Sequence, residues 1–227
     1  MKKFLIMILL ISFSNHLDAQ YILEGPEKEG IFTITAGYII PFGEIGNKYG
    51  EFAGGMENGF SLGIEYTQPF DNYKRLAWHT NLTYFRNQTD IPQGFYDIWI
   101  RGKESAWHHF TAAVGLRYTL IDKDQIRILA GAKMGGLIGI SPEIITNVST
   151  KLSLFNTSSQ QSSTSLSYNL NPMFGVNLFQ RIELKMEYIF AGMMKYQSTV
   201  FDYNGVVSER FFEVPAQFYN FLVSYSF

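Results

Sequence analysis

The sequence predicts an all-β protein, an eight-stranded antiparallel up-and-down β-barrel that crosses a membrane. Three observations lead to this fold class. Eight runs of residues alternate large apolar side chains with small or polar ones, their connections alternate between short and long, and the large-residue face is too bulky for the inside of an eight-stranded barrel. Composition agrees, since aromatic residues make up 16% of the chain and charged residues only 17%, against about a quarter charged in typical soluble domains.

The N-terminal segment is predicted to be a secretory signal peptide, residues 1–19. Lys2 and Lys3 precede a mainly apolar run from Phe4 to Phe13, and the small residue Ala19 precedes the cleavage point. The run is too short for a membrane-spanning helix, which needs about 20 residues; a buried N-terminal helix is the alternative. Residues 20–30 then form a periplasmic lead-in, and residues 31–227 form the barrel.

The predicted strands are defined by a two-residue period of large side chains. They begin near Phe32, Phe60, Leu76, Phe110, Ile126, Leu166, Ile182 and Tyr219. Runs of this length and period are typical of strands with one face in an apolar environment. We therefore expect eight strands, and we find no sign of a second domain.

The connections predict which end of the barrel faces which compartment. Three are short, at residues 69–74, 121–125 and 179–181, and four are long, at 42–57, 87–105, 140–163 and 191–213. This alternation is typical of outer-membrane barrels, which have short periplasmic turns and long extracellular loops. Within the long connections, the tract NTSSQQSSTS (156–165) and the glycine-rich GEIGNKYGEFAGG (43–55) are expected to be flexible.

Side-chain volume predicts which face of each strand points outward. The interior of an eight-stranded barrel is just wide enough to be filled by side chains, and one face of these strands is rich in small residues such as Gly63, Ala113 and Gly131. The large residues then point outward into lipid, and the aromatic ones fall near the two ends, as in interfacial girdles. The alternative is a soluble lipocalin-like calyx with the apolar face inside.

The opening GYIIPFGEIGN (37–47), followed by NGFSLGIEYTQPF (58–70), resembles small outer-membrane β-barrel proteins of Gram-negative bacteria. They are of the OmpX and OmpA-barrel type, and the likeness is strongest to the outer-membrane barrel domain family of the Bacteroidetes. The resemblance implies a monomer in the cell outer membrane, surrounded by membrane lipid and lipopolysaccharide. It also implies that the last strand is a recognition signal for the barrel-assembly machinery, here carried by Tyr219, Phe221, Val223, Tyr225 and Phe227.

Charged residues are also predicted on the inward face, mostly in the periplasmic half. They are Glu65, Arg117, Arg127, Lys133, Glu183, Lys185 and Glu187. Isolated charges in a narrow lumen are unfavourable, so we expect these residues to pair across it. The resulting interpretation is a lumen plugged by ion pairs and water; the alternative is a narrow path for ions, protons or small solutes.

Several other functions are disfavoured. A net charge of −2 argues against nucleic-acid binding, and the absence of cysteine excludes thiolate metal sites and a cysteine nucleophile. His108 and His109 resemble the histidines of lipid A-modifying barrel enzymes, but no serine follows either one at the second position. We therefore predict a non-enzymatic protein without cofactor or metal. Its long loops would be a structural or adhesive surface for an extracellular ligand or envelope protein, or the barrel would be accessory to a larger envelope machine.

Overall fold

The computed structural model describes residues 30–46, 56–70, 75–89, 98–100, 106–123, 125–142, 144–149, 155–160, 162–179, 181–201 and 207–227. The strands in these ranges are β1 (Ile31–Phe42), β2 (Met56–Pro69), β3 (Leu76–Thr89), β4 (Ile98–Ile100), β5 (Ala106–Lys123), β6 (Ile126–Ile140), β7 (Ile144–Ser149), β8 (Phe155–Gln160), β9 (Thr164–Leu178), β10 (Ile182–Phe201) and β11 (Val207–Ser226). A 3-10 helix spans Gly43–Gly46. None of the helical residues in the described ranges forms a helix long and apolar enough to cross a bilayer.

Eight of the strands close into a barrel. The order around the wall is β1, β2, β3, β5, β6, β9, β10 and β11, and the pairing of β11 with β1 closes the circle. The closing register runs from Thr33 opposite Ser226 to Phe42 opposite Gln217, antiparallel like the other barrel pairings. Closure satisfies the backbone hydrogen bonds of both terminal strands, so the wall has no open sheet edge there. The predicted fold class is therefore confirmed.

The two ends of the barrel differ. The short connections β2–β3, β5–β6 and β9–β10 lie at the same end as the start of β1 and the end of β11, and we call this the turn end. The connections β1–β2, β3–β5, β6–β9 and β10–β11 meet at the opposite end, which we call the loop end. The alternation of short and long connections thus predicted the arrangement correctly.

At the loop end, the long connections contain more regular structure than expected. β10 and β11 remain paired out to Phe201 opposite Val207, so the predicted loop 191–213 is largely a hairpin. β7 pairs with β8, β4 pairs with β7, and β8 joins β10 at Thr199. We call β4, β7, β8 and residues 196–201 and 207–212 the β-extension. These segments pair through their backbones, and the sequence carries no long two-residue period of apolar side chains there.

Two regions predicted to be flexible also contain ordered structure. Most of the polar tract 156–165 belongs to β8 and to the start of β9. In the glycine-rich segment, Gly43–Gly46 forms the 3-10 helix, and Ile45 is fully buried, which anchors this segment to the barrel. Residues 47–55 of that segment lie outside the described residues, as do residues 1–29 with the predicted signal peptide and most of the lead-in.

Large apolar side chains cover the outside of the barrel wall. We call this surface the apolar belt; its most exposed members include Phe32, Ile64, Leu82, Val114, Leu116, Met134, Leu166, Tyr168, Leu184, Phe221 and Val223. A calyx of lipocalin type would bury these residues around its ligand instead. An uncovered apolar surface that surrounds the whole molecule is stable only in lipid.

Candidate functional site

The lumen near the turn end holds six charged side chains from four strands. We call them the charged cluster: Glu65, Arg117, Lys133, Glu183, Lys185 and Glu187. They point inward because each occupies the position between two outward apolar residues of its strand. All of them except Arg117 are at most 4% exposed, so they lie out of reach of bulk water.

Lys185 and Lys133 bind the carboxylates from opposite sides. Lys185 Nζ lies 2.7 Å from each oxygen of Glu65 and 3.5 Å from Glu187 Oε1. Lys133 Nζ donates to Glu187 Oε1 at 2.6 Å and to Glu65 Oε1 at 3.3 Å. These contacts join β2, β6 and β10 across the lumen, so the two ammonium groups and two carboxylates form one connected network.

Glu183 extends the network to the opposite wall. Its Oε2 accepts a hydrogen bond from Arg117 Nη1 at 3.3 Å, and its Oε1 lies 3.9 Å from Lys185 Nζ. The cluster therefore contains three cations and three carboxylates and is neutral as a whole. Neutrality is the condition under which buried charges are tolerated, because each loses its hydration and must recover that energy from its partners.

Arg127 does not join the other predicted lumen charges. Its Nε lies 2.8 Å from Asp122 Oδ1, and the two side chains are 30% and 40% exposed. Arg127 and Asp122 face each other across the β5–β6 hairpin, where β5 has a bulge between Thr119 and Ile121. The bulge changes the alternation of β5 beyond Thr119 and places Asp122 where it pairs with Arg127 at the rim.

The loop-end half of the lumen is filled mainly by apolar side chains, with the buried polar residues Asn87 and His109 among them. We call this group the apolar plug: Ile39, Ile45, Met56, Phe85, Trp107, Leu137, Ile189, Ala191, Met194, Val214, Ala216 and Phe218. We did not expect the plug from the sequence, because we took the inward face to be lined mainly by small and charged residues. The signal was present: near the loop end both faces of several strands are apolar, as at Ile39 and Ile189.

His109 lies inside this plug. Its ring stacks on Phe85 with centroids 4.5 Å apart and on Trp107 at 6.2 Å, and Phe218 meets it edge-on at 5.4 Å. Its neighbour His108 points outward, where Nδ1 lies 2.8 Å from the Tyr84 hydroxyl. The two histidines thus lie on opposite faces of β5 and do not form a shared site.

The turn-end half of the lumen also contains buried polar atoms that have no hydrogen-bond partner among the described residues. They include both ring nitrogens of His79, Oδ1 of Asn81, Asn171 and Asn177, Nδ2 of Asn220 and Oγ of Ser224. Buried polar groups in proteins are nearly always satisfied, by ordered water where no side chain reaches them. This half of the lumen therefore has the chemistry of a hydrated interior. Among the described residues, no group of three or more aspartate, glutamate, histidine or cysteine side chains is arranged so that it could hold a metal ion.

The outward residues of the last strand face the membrane. Phe221, Val223, Tyr225 and Phe227 are all at least 43% exposed, and Tyr219 contacts the rings of Tyr188 and Phe42. Their predicted role as an assembly signal remains a prediction.

Neither protein-family models nor curated protein sequences match the chain. Solved structures do match. The outer membrane protein OprG from Pseudomonas aeruginosa is 15% identical, with 88% of this chain and 97% of that chain covered and a TM-score of 0.52. Neisserial surface protein A is 12% identical (90% and 100% covered, TM-score 0.45). Ail of Yersinia pestis, in complex with the heparin analogue sucrose octasulfate, is 14% identical (88% and 99% covered, TM-score 0.44).

The likeness to OprG shows a shared fold, that of an eight-stranded outer-membrane barrel. The closed ladder and the apolar belt of this chain agree with that fold independently. The protein is therefore an integral β-barrel protein of the outer membrane.

Proposed function

We propose that the protein is a non-enzymatic, non-conducting membrane anchor that presents the β-extension as a binding or adhesion surface. The observation that carries this proposal is the double closure of the lumen. The neutral charged cluster occupies the turn-end half, and the apolar plug fills the loop-end half.

The plug is the stronger barrier to solutes. Phe85, Leu137 and Phe218 are fully buried in it, so the lining of this half is mainly apolar. An ion that entered this layer would lose its hydration without gaining a partner, and such a transfer is strongly unfavourable. The charged cluster has no free charge to compensate it, since its cations and carboxylates already pair.

The orientation follows the usual arrangement of outer-membrane barrels, in which short turns face the periplasm and long connections face the outside. The turn end is then periplasmic, and the β-extension stands above the outer surface of the membrane. β10 and β11 continue as paired strands from the barrel wall into the β-extension, with one bulge between Ala191 and Met193, so two strands attach the extension to the wall. A surface attached in this way suits binding, because little conformational entropy is lost when a partner docks.

A conductance measurement tests the closed lumen. Purified protein inserted into planar bilayers is expected to give no steady single-channel currents above baseline, with insertion verified by co-flotation with liposomes. Steady currents that Lys133→Met abolishes would overturn the proposal, since Lys133 lies in the lumen and contacts no lipid.

A narrow proton or ion path is the second candidate. The unpartnered polar atoms around His79 favour it, because a hydrated segment is what such a path needs. Vesicles that contain a pH-sensitive dye measure it directly. Proton entry faster than in protein-free vesicles, and slowed by His79→Phe, would favour the path over the anchor.

A further inference from the structure

The outer wall of the barrel contains a groove where β6, β9 and β10 meet near the loop end. Its volume is about 590 Å³, and it is lined by Gly135, Gly136, Leu166, Ser167, Tyr168 and Met193. This volume lies within the range of about 300–1,000 Å³ typical of ligand sites in proteins.

The groove lies where β9 and β10 separate. β9 pairs with β10 only as far as Asn169 opposite Ala191, although it remains paired with β6 out to Thr164. β10 bulges between Ala191 and Met193. Beyond the bulge, the Ser165 hydroxyl accepts a hydrogen bond from the Lys195 backbone N–H at 2.9 Å. A side chain thus spans the gap where backbone pairing stops, and the outer surface between the two strands is left recessed.

Two glycines shape the recess. Gly136 points outward between Met134 and Ile138, and a Cβ added to it would have no atom within 4 Å. Its absent side chain therefore leaves a notch in the apolar belt. Gly192 allows the Tyr168 ring to lie against β10, since a Cβ there would come within 2.5 Å of Tyr168 Cε1. Any other residue at 192 would displace the ring that forms one wall of the groove.

The groove opens toward lipid. Its walls are the outward side chains Leu166, Tyr168 and Met193, which are 77%, 62% and 50% exposed. On the inner side, the fully buried Leu137 and Met194 of the apolar plug lie behind it. The molecules that meet this surface in the membrane are acyl chains, and a flexible chain fits a narrow apolar recess.

A positively charged side chain lies beside the groove, on the side nearer the loop end. Lys195 lies two residues beyond Met193 on the same outward face of β10. Its side chain is 68% exposed, and Nζ lies 2.6 Å from Glu213 Oε1. Basic side chains at the membrane surface attract anionic headgroups. The groove and Lys195 thus match the two parts of an anionic lipid, an acyl chain and a phosphate.

We propose that this groove binds one acyl chain of lipopolysaccharide, with Lys195 next to a phosphate of its lipid A headgroup. The choice of lipid rests on the orientation proposed above, which places the loop end in the outer leaflet. The site is distinct from the lumen and does not depend on whether the lumen conducts.

Photo-crosslinking tests the site. The protein is reconstituted in nanodiscs with lipid A that carries a diazirine on an acyl chain, and labelled peptides are mapped by mass spectrometry. We expect labelling of the peptides that contain Leu166, Tyr168 and Met193. Gly136→Leu fills the notch without a clash and should lower that labelling at least about fivefold, equivalent to roughly 1 kcal/mol. Ala132→Leu, a similar enlargement on the outward face of β6 but outside the groove, should leave it unchanged.

Further experiments test the groove, the choice of lipid and the orientation separately. Unchanged labelling in a Gly136→Leu barrel that still migrates as folded protein would overturn the groove. Lys195→Gln should lower labelling by lipid A but not by a neutral phosphatidylcholine probe. Equal labelling by lipid A and phosphatidylglycerol probes would overturn the choice of lipopolysaccharide. Orientation is checked separately, by labelling the variant Ser208→Cys with a membrane-impermeant maleimide on intact cells, which is possible because the chain has no cysteine. Failure to label there would count against the orientation alone.

Discussion

Lys185 shows what a narrow barrel requires of a buried charge. Its ammonium group touches Glu65 and lies within 4 Å of Glu183 and Glu187, and the residue is 4% exposed. A single carboxylate would compensate this charge only partly, whereas the three carboxylates around it compensate it together. Removal of one member of such a network is strongly destabilising, because the charges that it compensated are left buried without a partner.

We predict that Lys185→Met lowers the free energy of unfolding by about 3–5 kcal/mol, the usual result of leaving buried charge uncompensated. The charged cluster would then hold three carboxylates and only two cations, Arg117 and Lys133. Urea unfolding in detergent micelles, followed by tryptophan fluorescence, measures the change.

Arg127→Met is the matched control, since its rim pair with Asp122 is partly exposed and such pairs contribute only about 0–1 kcal/mol. Adding Glu65→Gln to Lys185→Met should restore part of the lost stability. Equal losses for Lys185→Met and Arg127→Met would show that the charged cluster is not a buried network.

The β10–β11 hairpin has two parts with different expected roles. Up to about Ala191, β10 is bonded on both sides and belongs to the barrel wall, whereas beyond the bulge its pairing with β9 stops and the strand continues with β11. We expect the wall part to determine whether the barrel folds, and the outer part to determine whether the protein binds its partner.

Replacing residues 196–212 by Asn-Gly should therefore shorten the hairpin and leave the barrel folded. Asn-Gly is a favoured two-residue hairpin turn, and Lys195 and Glu213 already face each other. Pull-downs from intact envelopes should recover a partner with the full chain and lose it with the shortened one. Recovery of the same partner by both would place binding outside this hairpin.

β11 carries a prediction about assembly. Phe227 is 76% exposed, and its N–H donates to Phe32 O at 3.1 Å, so it contributes little to the packed interior. Phe227→Ser should lower the amount of assembled barrel in the membrane while export continues. Immunoblots of outer-membrane and periplasmic fractions measure both quantities.

Phe179→Ser serves as the comparison, since Phe179 is equally surface-located at the turn end, with 63% exposure, but belongs to a different segment. A general loss of apolar surface would affect both variants. Normal assembly of Phe227→Ser would contradict the proposed signal.

The closed wall and the apolar belt together define how the protein should behave after purification. The barrel has no open wall edge where β11 meets β1, and its belt needs a lipid or detergent coat. We predict that the folded protein migrates differently before and after boiling in a detergent gel, and that it precipitates when detergent is removed. A monodisperse, detergent-free solution would instead fit a soluble calyx.

The sequence was sufficient to predict which side chains of each strand point outward and which point into the lumen. The alternation in segments such as residues 60–67 assigns Phe60 and Ile64 outward and Glu65 inward, and the structure has them so. This works because neighbouring residues of a strand point to opposite faces whatever the strand pairs with. The inward positions of Lys133, Glu183, Lys185 and Glu187 follow in the same way.

Contacts across the lumen required the closed barrel. The pairing of ammonium groups with carboxylates depends on the register of all eight strands. A local feature also matters, since the bulge in β5 places Asp122 opposite Arg127. The apolar plug also depends on closure, because Phe218 of β11 meets the cross-strand pair Phe85 and His109 of β3 and β5 only across the lumen. The β-extension could not be predicted, because its segments carry no long two-residue period of apolar side chains. Alternation is a local property of the chain, whereas pairing across a barrel is a property of its closure.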